Sequence, residues 1–123
     1  MEQATAKTQF ECANPILSVG NMARSVQYYV EVLGFTRAPW GSDDFTLVTR
    51  DSAGIYLAAG TQGHPGTWAW IGVEDVRALH DEYMAKGATI SSPPKSFPWA
   101  LEMTVTDPDG HVLRFGSDPR AHV

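Results

Sequence analysis

The sequence predicts an α+β fold built from two βαβββ modules, and three observations support this prediction. The segment 50–60, RDSAGIYLAAG, recurs 56 positions later as 106–116, TDPDGHVLRFG, with Asp, Gly, Leu and Gly at matching places. Both halves contain a strand-like run, a capping residue, a helical stretch and a glycine, in that order. Extended stretches follow each helix. Self-similarity at a nearly fixed offset indicates one structural unit used twice.

The first module begins with a short strand over 14–19, followed by a helix over 22–33 whose apolar residues recur at helical spacing. Asn21 is the expected N-cap of this helix, and Gly34 is placed to end it. Three extended stretches follow, at 36–40, 45–50 and 55–59.

The second module repeats this order with a strand over 67–73, Asp75 as N-cap, and a helix that ends at Gly87. Extended stretches follow at 88–90, 100–106 and 112–115. Between the last helix and the final two strands, 91–98 carries three prolines, and we expect a loop without regular strand pairing there.

A chain of 123 residues fits one domain with a real core. We expect that domain to span 14–117, divided into modules 14–61 and 66–117. The remaining segments, 1–13 and 118–123, are predicted to be tails.

Composition excludes several classes of function. Nine Lys and Arg against 14 Asp and Glu give a net charge of −5 without a basic cluster, so nucleic acid is a poor partner. The acidity favours a cationic ligand by weak long-range attraction, although most mildly acidic proteins use such charge for solubility. Cys12 is the only cysteine, which excludes an intrachain disulfide. No run of about 18 apolar residues and no signal-like segment occurs, so no membrane partner is expected and a cytoplasmic location is the default.

Alternation along the strands assigns side chains to two faces of each sheet. One face is expected to pack beneath the helices. The other mixes aromatic, hydroxyl and charged groups, as a ligand cavity would; its members are Asn14, Ile16, Ser18, Thr46, Val48, Tyr56, Ala58, Trp68, Trp70, Glu102, Thr104, Val112 and Arg114. Glu102 and Arg114 share this face if the last hairpin holds an odd number of residues. Pro108–Gly110 suits a three-residue loop with a Gly bulge.

Several segments resemble the vicinal oxygen chelate superfamily, which includes glyoxalase I, extradiol dioxygenases and the bleomycin resistance proteins. They are NPILSVGNM (14–22), SVQYY (25–29), LGF (33–35), VEDV (73–76), KGA (86–88) and DPDGHVLRF (107–115). The resemblance implies paired βαβββ modules whose curved mixed sheets enclose a cavity, usually completed in a homodimer.

In the metalloenzymes of this family, ligands come from four equivalent positions, which the resemblance places at Asn14, Ala58, Trp68 and Arg114. None is His, Asp or Glu, and divalent metals of this class need carboxylate or imidazole donors. An Arg places a fixed positive charge where the cation would lie. We therefore expect no metal and no cofactor.

The resemblance is strongest to the metal-free bleomycin resistance group, and it implies a protein that sequesters an aromatic, possibly cationic ligand such as a bleomycin-like antibiotic. No catalytic residue is assigned. The expected ligand-binding residues are Asn14, Thr46, Tyr56, Trp68, Trp70, Trp99, Glu102 and Arg114.

Two other functions stay open. One is an enzyme of the same superfamily, a lyase, isomerase or dioxygenase-like protein, with metal-independent or relocated-metal chemistry. The other is a regulatory module whose sheet cavity is only a dimer interface. The four histidines match no ligand motif, and Cys12 has no nearby His in the sequence.

Overall fold

The protein consists of two four-stranded mixed sheets, each carrying one helix. The structure is a computed structural model that describes residues 8–60 and 62–118, so parts of both predicted tails and residue 61, the last of the first module, lie outside the described residues. The elements are β1 (Ile16–Ser18), α1 (Met22–Gln27), β2 (Thr36–Arg37), β3 (Phe45–Arg50), β4 (Ala53–Ala58), β5 (Trp68–Gly72), α2 (Val76–Lys86), β6 (Ile90–Ser96), β7 (Leu101–Thr106) and β8 (Val112–Ser117). The strand orders are β1-β4-β3-β2 and β5-β8-β7-β6, so in each sheet the first strand of the module lies beside its fourth, followed by the third and the second. This shared order confirms two βαβββ modules.

Both helices begin at the predicted caps. The Asn21 side chain accepts a hydrogen bond from the Arg24 amide at 3.0 Å, and Asp75 does the same for the Ala78 amide at 3.0 Å. The first helix was predicted as one α-helix, but it continues beyond α1 as a π-helical segment, Tyr28–Val32. Its wider turn is closed by the Leu33 amide, which donates to the Tyr28 carbonyl.

The prediction that 91–98 avoids strand pairing was wrong. Most of this segment forms β6, which pairs antiparallel with β7 at the edge of the second sheet. The register shifts between Ser92 and Lys95, so Pro93 and Pro94 fall in the irregularity. An edge strand with a bulge tolerates prolines because their missing N–H groups are not needed by a neighbour.

The two hairpins differ by an odd number of residues, and this difference decides which side chains face outward. In the β7–β8 hairpin the Asp107 amide donates to the His111 carbonyl at 2.9 Å and encloses three residues, as predicted. In the β3–β4 hairpin Arg50 pairs with Ala53 across two residues. Because the β3–β4 connection has one residue fewer, each β3 side chain lies on the face opposite to the one that the sequence repeat predicts.

Thr46 and Val48 were therefore assigned to the wrong face. Thr46 pairs with Leu57, and Val48 with Ile55, and all four side chains are buried. Residues paired directly across strands share a face, so both belong to the helix side of the first sheet.

Side chains from both sheets and both helices form one hydrophobic cluster. Its members include Leu17, Tyr29, Leu33, Ile55, Leu57, Val76, Tyr83, Met103, Leu113 and Phe115. Because both sheets contribute their helix-side faces to this shared core, their other faces stay open. Within residues 8–60 and 62–118, no helix is long and apolar enough to span a membrane.

The β7–β8 hairpin of the second module is bonded to the first helix. One Asp109 oxygen accepts from the Gly20 amide at 2.8 Å, and the other accepts from the Ser25 hydroxyl at 2.6 Å. The Tyr29 hydroxyl donates to Asp107 at 2.7 Å. Burial and this carboxylate raise the pKa of Tyr29 well above its ordinary value, so the phenol stays protonated as the donor. These contacts fix the modules relative to each other.

Candidate functional site

The open face of the second sheet carries most of the predicted site residues. Trp70 and Arg114 pair in register on β5 and β8, and Thr104 pairs with Arg114 from β7. The large apolar side chains on and beside this face are exposed to an unusual extent: Trp68 by 63%, Trp70 by 58% and Trp99 by 61%. Clustered exposed tryptophans on one face are typical of a binding surface.

Glu102 is the centre of this face and is only 3% exposed. Its Oε2 accepts a hydrogen bond from the Trp70 indole at 2.8 Å and one from the Trp99 indole at 3.2 Å. Its Oε1 accepts one from Arg114 Nε at 2.7 Å. Burial raises the pKa of the Glu102 carboxyl, but the three hydrogen bonds outweigh burial and hold that pKa below its ordinary value. Glu102 is therefore ionised at neutral pH.

Glu102 was predicted as a ligand-binding residue, but it is not free to pair with a cationic group of a ligand. Both oxygens are already engaged, and the neighbouring guanidinium neutralises the charge. The carboxylate instead fixes the orientation of two indoles and one guanidinium.

The Trp70 ring lies against a pair of glycines. Gly72 and Gly116 pair in register directly beside it. A Cβ at Gly116 would come within 2.6 Å of Trp70 Cζ2, and one at Gly72 within 3.1 Å of Trp70 Cζ3. Side chains at these two positions would push the ring away, so the glycines and Glu102 together hold Trp70 in one plane.

Trp99 is held on the other side of Glu102. Its ring stacks on Phe97 with centroids 4.9 Å apart and an interplanar angle of 15°. Two cations flank Phe97: Arg114 Cζ lies 5.9 Å and Lys95 Nζ 5.4 Å from its centroid. Phe97 was not among the predicted site residues, because it follows the prolines that suggested an irregular loop.

A cleft of about 800 Å³ lies at these two indoles, hereafter the Trp70–Trp99 cleft. Its lining is Trp70, Gly72, Val73, Pro98, Trp99, Ala100, Gly116, Ser117 and Asp118. The volume is within the range of small-molecule sites, and two indole side chains border it.

The open face of the first sheet carries a second aromatic cluster. Tyr56 stacks on Phe45 with centroids 5.2 Å apart, and Trp40 lies 6.3 Å from Tyr56. Phe45 lies on the open face of the first sheet, where Thr46 had been predicted. Had the two-residue turn at Asp51 and Ser52 been recognised, parity would have found Phe45.

Two predicted site residues lie away from the aromatic clusters. The Thr46 hydroxyl is buried on the helix side and donates to the Trp40 carbonyl at 3.3 Å, so it cannot meet a ligand on the open face. Asn14 donates to the Cys12 sulfur at 3.4 Å and lines a groove of about 1010 Å³ between the modules. Trp68 and Trp70 line the same groove.

The strand register corrects one of the four family ligand positions. Trp70 lies five residues before the cap Asp75 and pairs with Arg114, while Ile16 lies five before the cap Asn21 and pairs with Tyr56. Tyr56, rather than Ala58, is thus the counterpart of Arg114. The resulting set of Asn14, Tyr56, Trp68 and Arg114 still holds no carboxylate or imidazole.

These residues do not fit the divalent metal that the superfamily's enzymes hold. The guanidinium of Arg114 is a donor without an acceptor, and an indole has no basic lone pair to offer. Across the described part of the chain, no group of three or more His, Cys, Asp or Glu side chains is placed to hold a metal ion.

Comparison with known proteins agrees with this architecture. A family model described as the Glyoxalase/Bleomycin resistance protein/Dioxygenase superfamily matches residues 10–115. The bleomycin-binding protein of the bleomycin-producing Streptomyces verticillus, solved with copper(II)-bleomycin, is 27% identical with a TM-score of 0.78, over 90% of this chain and 98% of that one.

Two further structures share the fold at lower identity. TioX from Micromonospora sp. ML1 is 20% identical with a TM-score of 0.75, covering 89% of this chain and 99% of its own. A bleomycin resistance determinant encoded on transposon Tn5 is 18% identical with a TM-score of 0.76, covering 89% and 98%. No curated protein sequence matches the chain.

Proposed function

The chain belongs to the glyoxalase/bleomycin resistance protein/dioxygenase superfamily, and from this premise we propose that it binds and sequesters a planar aromatic small molecule, with a bleomycin-like antibiotic as the reference ligand. One observation carries the proposal. Two exposed indoles, Trp70 and Trp99, are anchored by their N–H groups to the buried Glu102, which leaves one face of each ring available for stacking.

The anchoring matters because binding costs the freedom of the groups that become ordered. An indole held by a hydrogen bond and by neighbouring groups has little conformational freedom left to lose when a ligand binds. Stacking on such an indole therefore costs less entropy. Offset stacking of aromatic rings contributes about 0.5–1.5 kcal/mol beyond the area buried. The similarity to a structure with bound copper(II)-bleomycin supports that drug as the first ligand to test.

We propose sequestration rather than catalysis because, among the described residues, the open face carries no free general base or nucleophile and no group of metal ligands. Its one buried carboxylate, Glu102, is fully engaged, and its family ligand positions hold no metal donors. Ligand recovered unchanged by mass spectrometry after prolonged incubation is the expected result. Stoichiometric or greater conversion of the ligand would favour the alternative, an enzyme of the same superfamily.

We also propose that a homodimer completes the site. Within one chain the two sheets face a common core, so their open faces cannot close on each other. Apposition of the Tyr56 cluster of one protomer with the Trp70–Trp99 cleft of its partner would enclose a ligand between two aromatic walls. Sedimentation equilibrium should give twice the 13.4 kDa chain mass. A monomer at tens of micromolar would contradict this proposal.

Binding is tested by titrating metal-free and copper(II)-loaded bleomycin while tryptophan fluorescence and heat are followed. We expect saturable binding and an affinity loss of about tenfold or more in W70A and W99A. The control is M84A, which removes an exposed apolar side chain on α2 and should leave the affinity unchanged. Equal binding by W70A, W99A and the original protein would refute the stacking site.

A further inference from the structure

We propose that the ligand carries an anionic group, such as a carboxylate, beside its planar ring, and that Arg114 receives this group. The inference rests on the proposed binding function and specifies the ligand class of the same face. It starts from the charges on the open face of the second sheet, beside the Trp70–Trp99 cleft.

The Glu102 carboxylate on this face is not accessible. Glu102 is 3% exposed, and its oxygens accept bonds from two indoles and from Arg114. A cationic group of a ligand would have to displace one of these donors from a buried position, which leaves a polar group unpaired and costs free energy.

The positive charge is accessible. The Arg114 side chain is 36% exposed, and its contacts with Glu102 use Nε and Nη2, the latter 2.5 Å from Oε1. No acceptor for Nη1 is found among residues 8–60 and 62–118. A guanidinium has five N–H donors in a fixed fork, so the outer edge remains able to bind a carboxylate.

The neighbours of Arg114 increase this preference. Lys95 lies over the same Phe97 ring and adds a second cation to the edge of the face. Trp70 and Arg114 both donate to Glu102, so the N–H edge of the indole lies beside the guanidinium. A ligand ring stacked on Trp70 can carry a substituent at this edge towards Arg114. Asp118 lines the Trp70–Trp99 cleft, whereas Arg114 and Lys95 lie beside it. Asp118 is exposed, so water and salt weaken its field.

The test is a series of three probes with the same ring and different charge: 2-naphthoate, 2-naphthamide and 2-naphthylmethylammonium, each titrated by calorimetry. We expect naphthoate to bind about tenfold more tightly than naphthamide, and the ammonium compound most weakly. Equal or tighter binding of the ammonium compound would overturn the inference while leaving aromatic binding intact. Failure of all three probes and of bleomycin would overturn the proposed function as well.

Variants identify the group responsible. R114Q also removes a donor to Glu102, so naphthamide binding by the same variant is the reference. The ratio of naphthoate to naphthamide affinity should fall from about ten to about one, because the charge-assisted bond to the ligand is lost. R77Q, which removes an exposed cation on α2, is the control for net charge and should change neither affinity. A matching loss in R77Q would assign the effect to long-range charge and contradict the role of Arg114. Should R114Q fail to fold, the probe series on the unaltered protein decides by itself.

Discussion

The ring of Trp70 occupies the space that a side chain at Gly116 would need: a Cβ there would lie 2.6 Å from Trp70 Cζ2. The two residues are on neighbouring strands, and the ring is also bonded to Glu102. The absence of one methyl group thus sets the plane in which an exposed indole can lie.

Substitution G116A should displace the Trp70 indole and break its hydrogen bond to Glu102. We expect a loss of about 1–3 kcal/mol in the free energy of unfolding and a changed near-ultraviolet circular dichroism spectrum. The loss should be smaller when G116A is introduced into W70A, where no ring needs to move. Equal losses in both backgrounds would show that the glycine serves something other than the ring.

The control is G20A, whose Cβ would lie 3.5 Å from Asp109 Oδ1, an ordinary contact distance. It should leave the tryptophan spectrum unchanged.

Acid should weaken the fold partly through Glu102. Its pKa is lower in the folded state than the ordinary value of 4.5, so the unfolded chain binds the proton more readily. The stabilisation is complete above pH 4.5 and is lost as the pH falls through the folded-state pKa. Urea unfolding between pH 7 and pH 3 should therefore show a shallower pH dependence in E102Q than in the unaltered protein. The exposed Glu74 provides the control E74Q, for which an equally shallow profile would argue against a special role of Glu102.

Removal of the Asp109 carboxylate should destabilise the contact between the modules. D109A leaves the Gly20 amide and the Ser25 hydroxyl without their acceptor, and we expect a loss of about 2–3 kcal/mol in the free energy of unfolding. D43A removes an exposed carboxylate and should cost less than about 0.5 kcal/mol. Similar values for the two variants, measured by urea denaturation, would contradict the role of Asp109 in holding the two modules together.

His111 should be important for stability in the same region. Its imidazole is fully buried, accepts from the Thr67 amide through Nδ1 at 3.0 Å and contacts the Ser18 carbonyl through Nε2. We expect H111A to lower the free energy of unfolding by about 2–4 kcal/mol, since it leaves a cavity and an unpaired amide. H64A, at an exposed histidine, should be close to neutral, and thermal unfolding of both variants compares them directly.

The architecture could be predicted from the sequence because it depends on the spacing of apolar residues and on the internal repeat, and both can be seen in the sequence. The caps Asn21 and Asp75, the odd hairpin at Pro108–Gly110, and the shared face of Trp70 and Arg114 all follow from local rules of spacing. These rules failed at Thr46, where one residue fewer in a turn reverses a whole strand.

The details of the site were harder to predict for a different reason. That Glu102 binds two indoles depends on how a segment between β6 and β7 returns over the sheet, which no periodicity encodes. The stacking of Phe97 on Trp99 belongs to the same segment. Strand alternation placed Glu102 and Arg114 on one face, but it could not show that three donors surround the carboxylate.

The hydrogen bonds from Asp109 to Gly20 and Ser25 have a consequence for how the two halves of the chain relate to each other. The corresponding β3–β4 turn of the first copy is shorter and consists of Asp51 and Ser52. Among residues 8–60 and 62–118, neither of these side chains makes a hydrogen bond to a helix. Two copies of the first half would hold neither helix in this way. The halves have therefore ceased to be interchangeable, and a rearrangement that replaced one by the other would lose the contact even though the fold of each half survived.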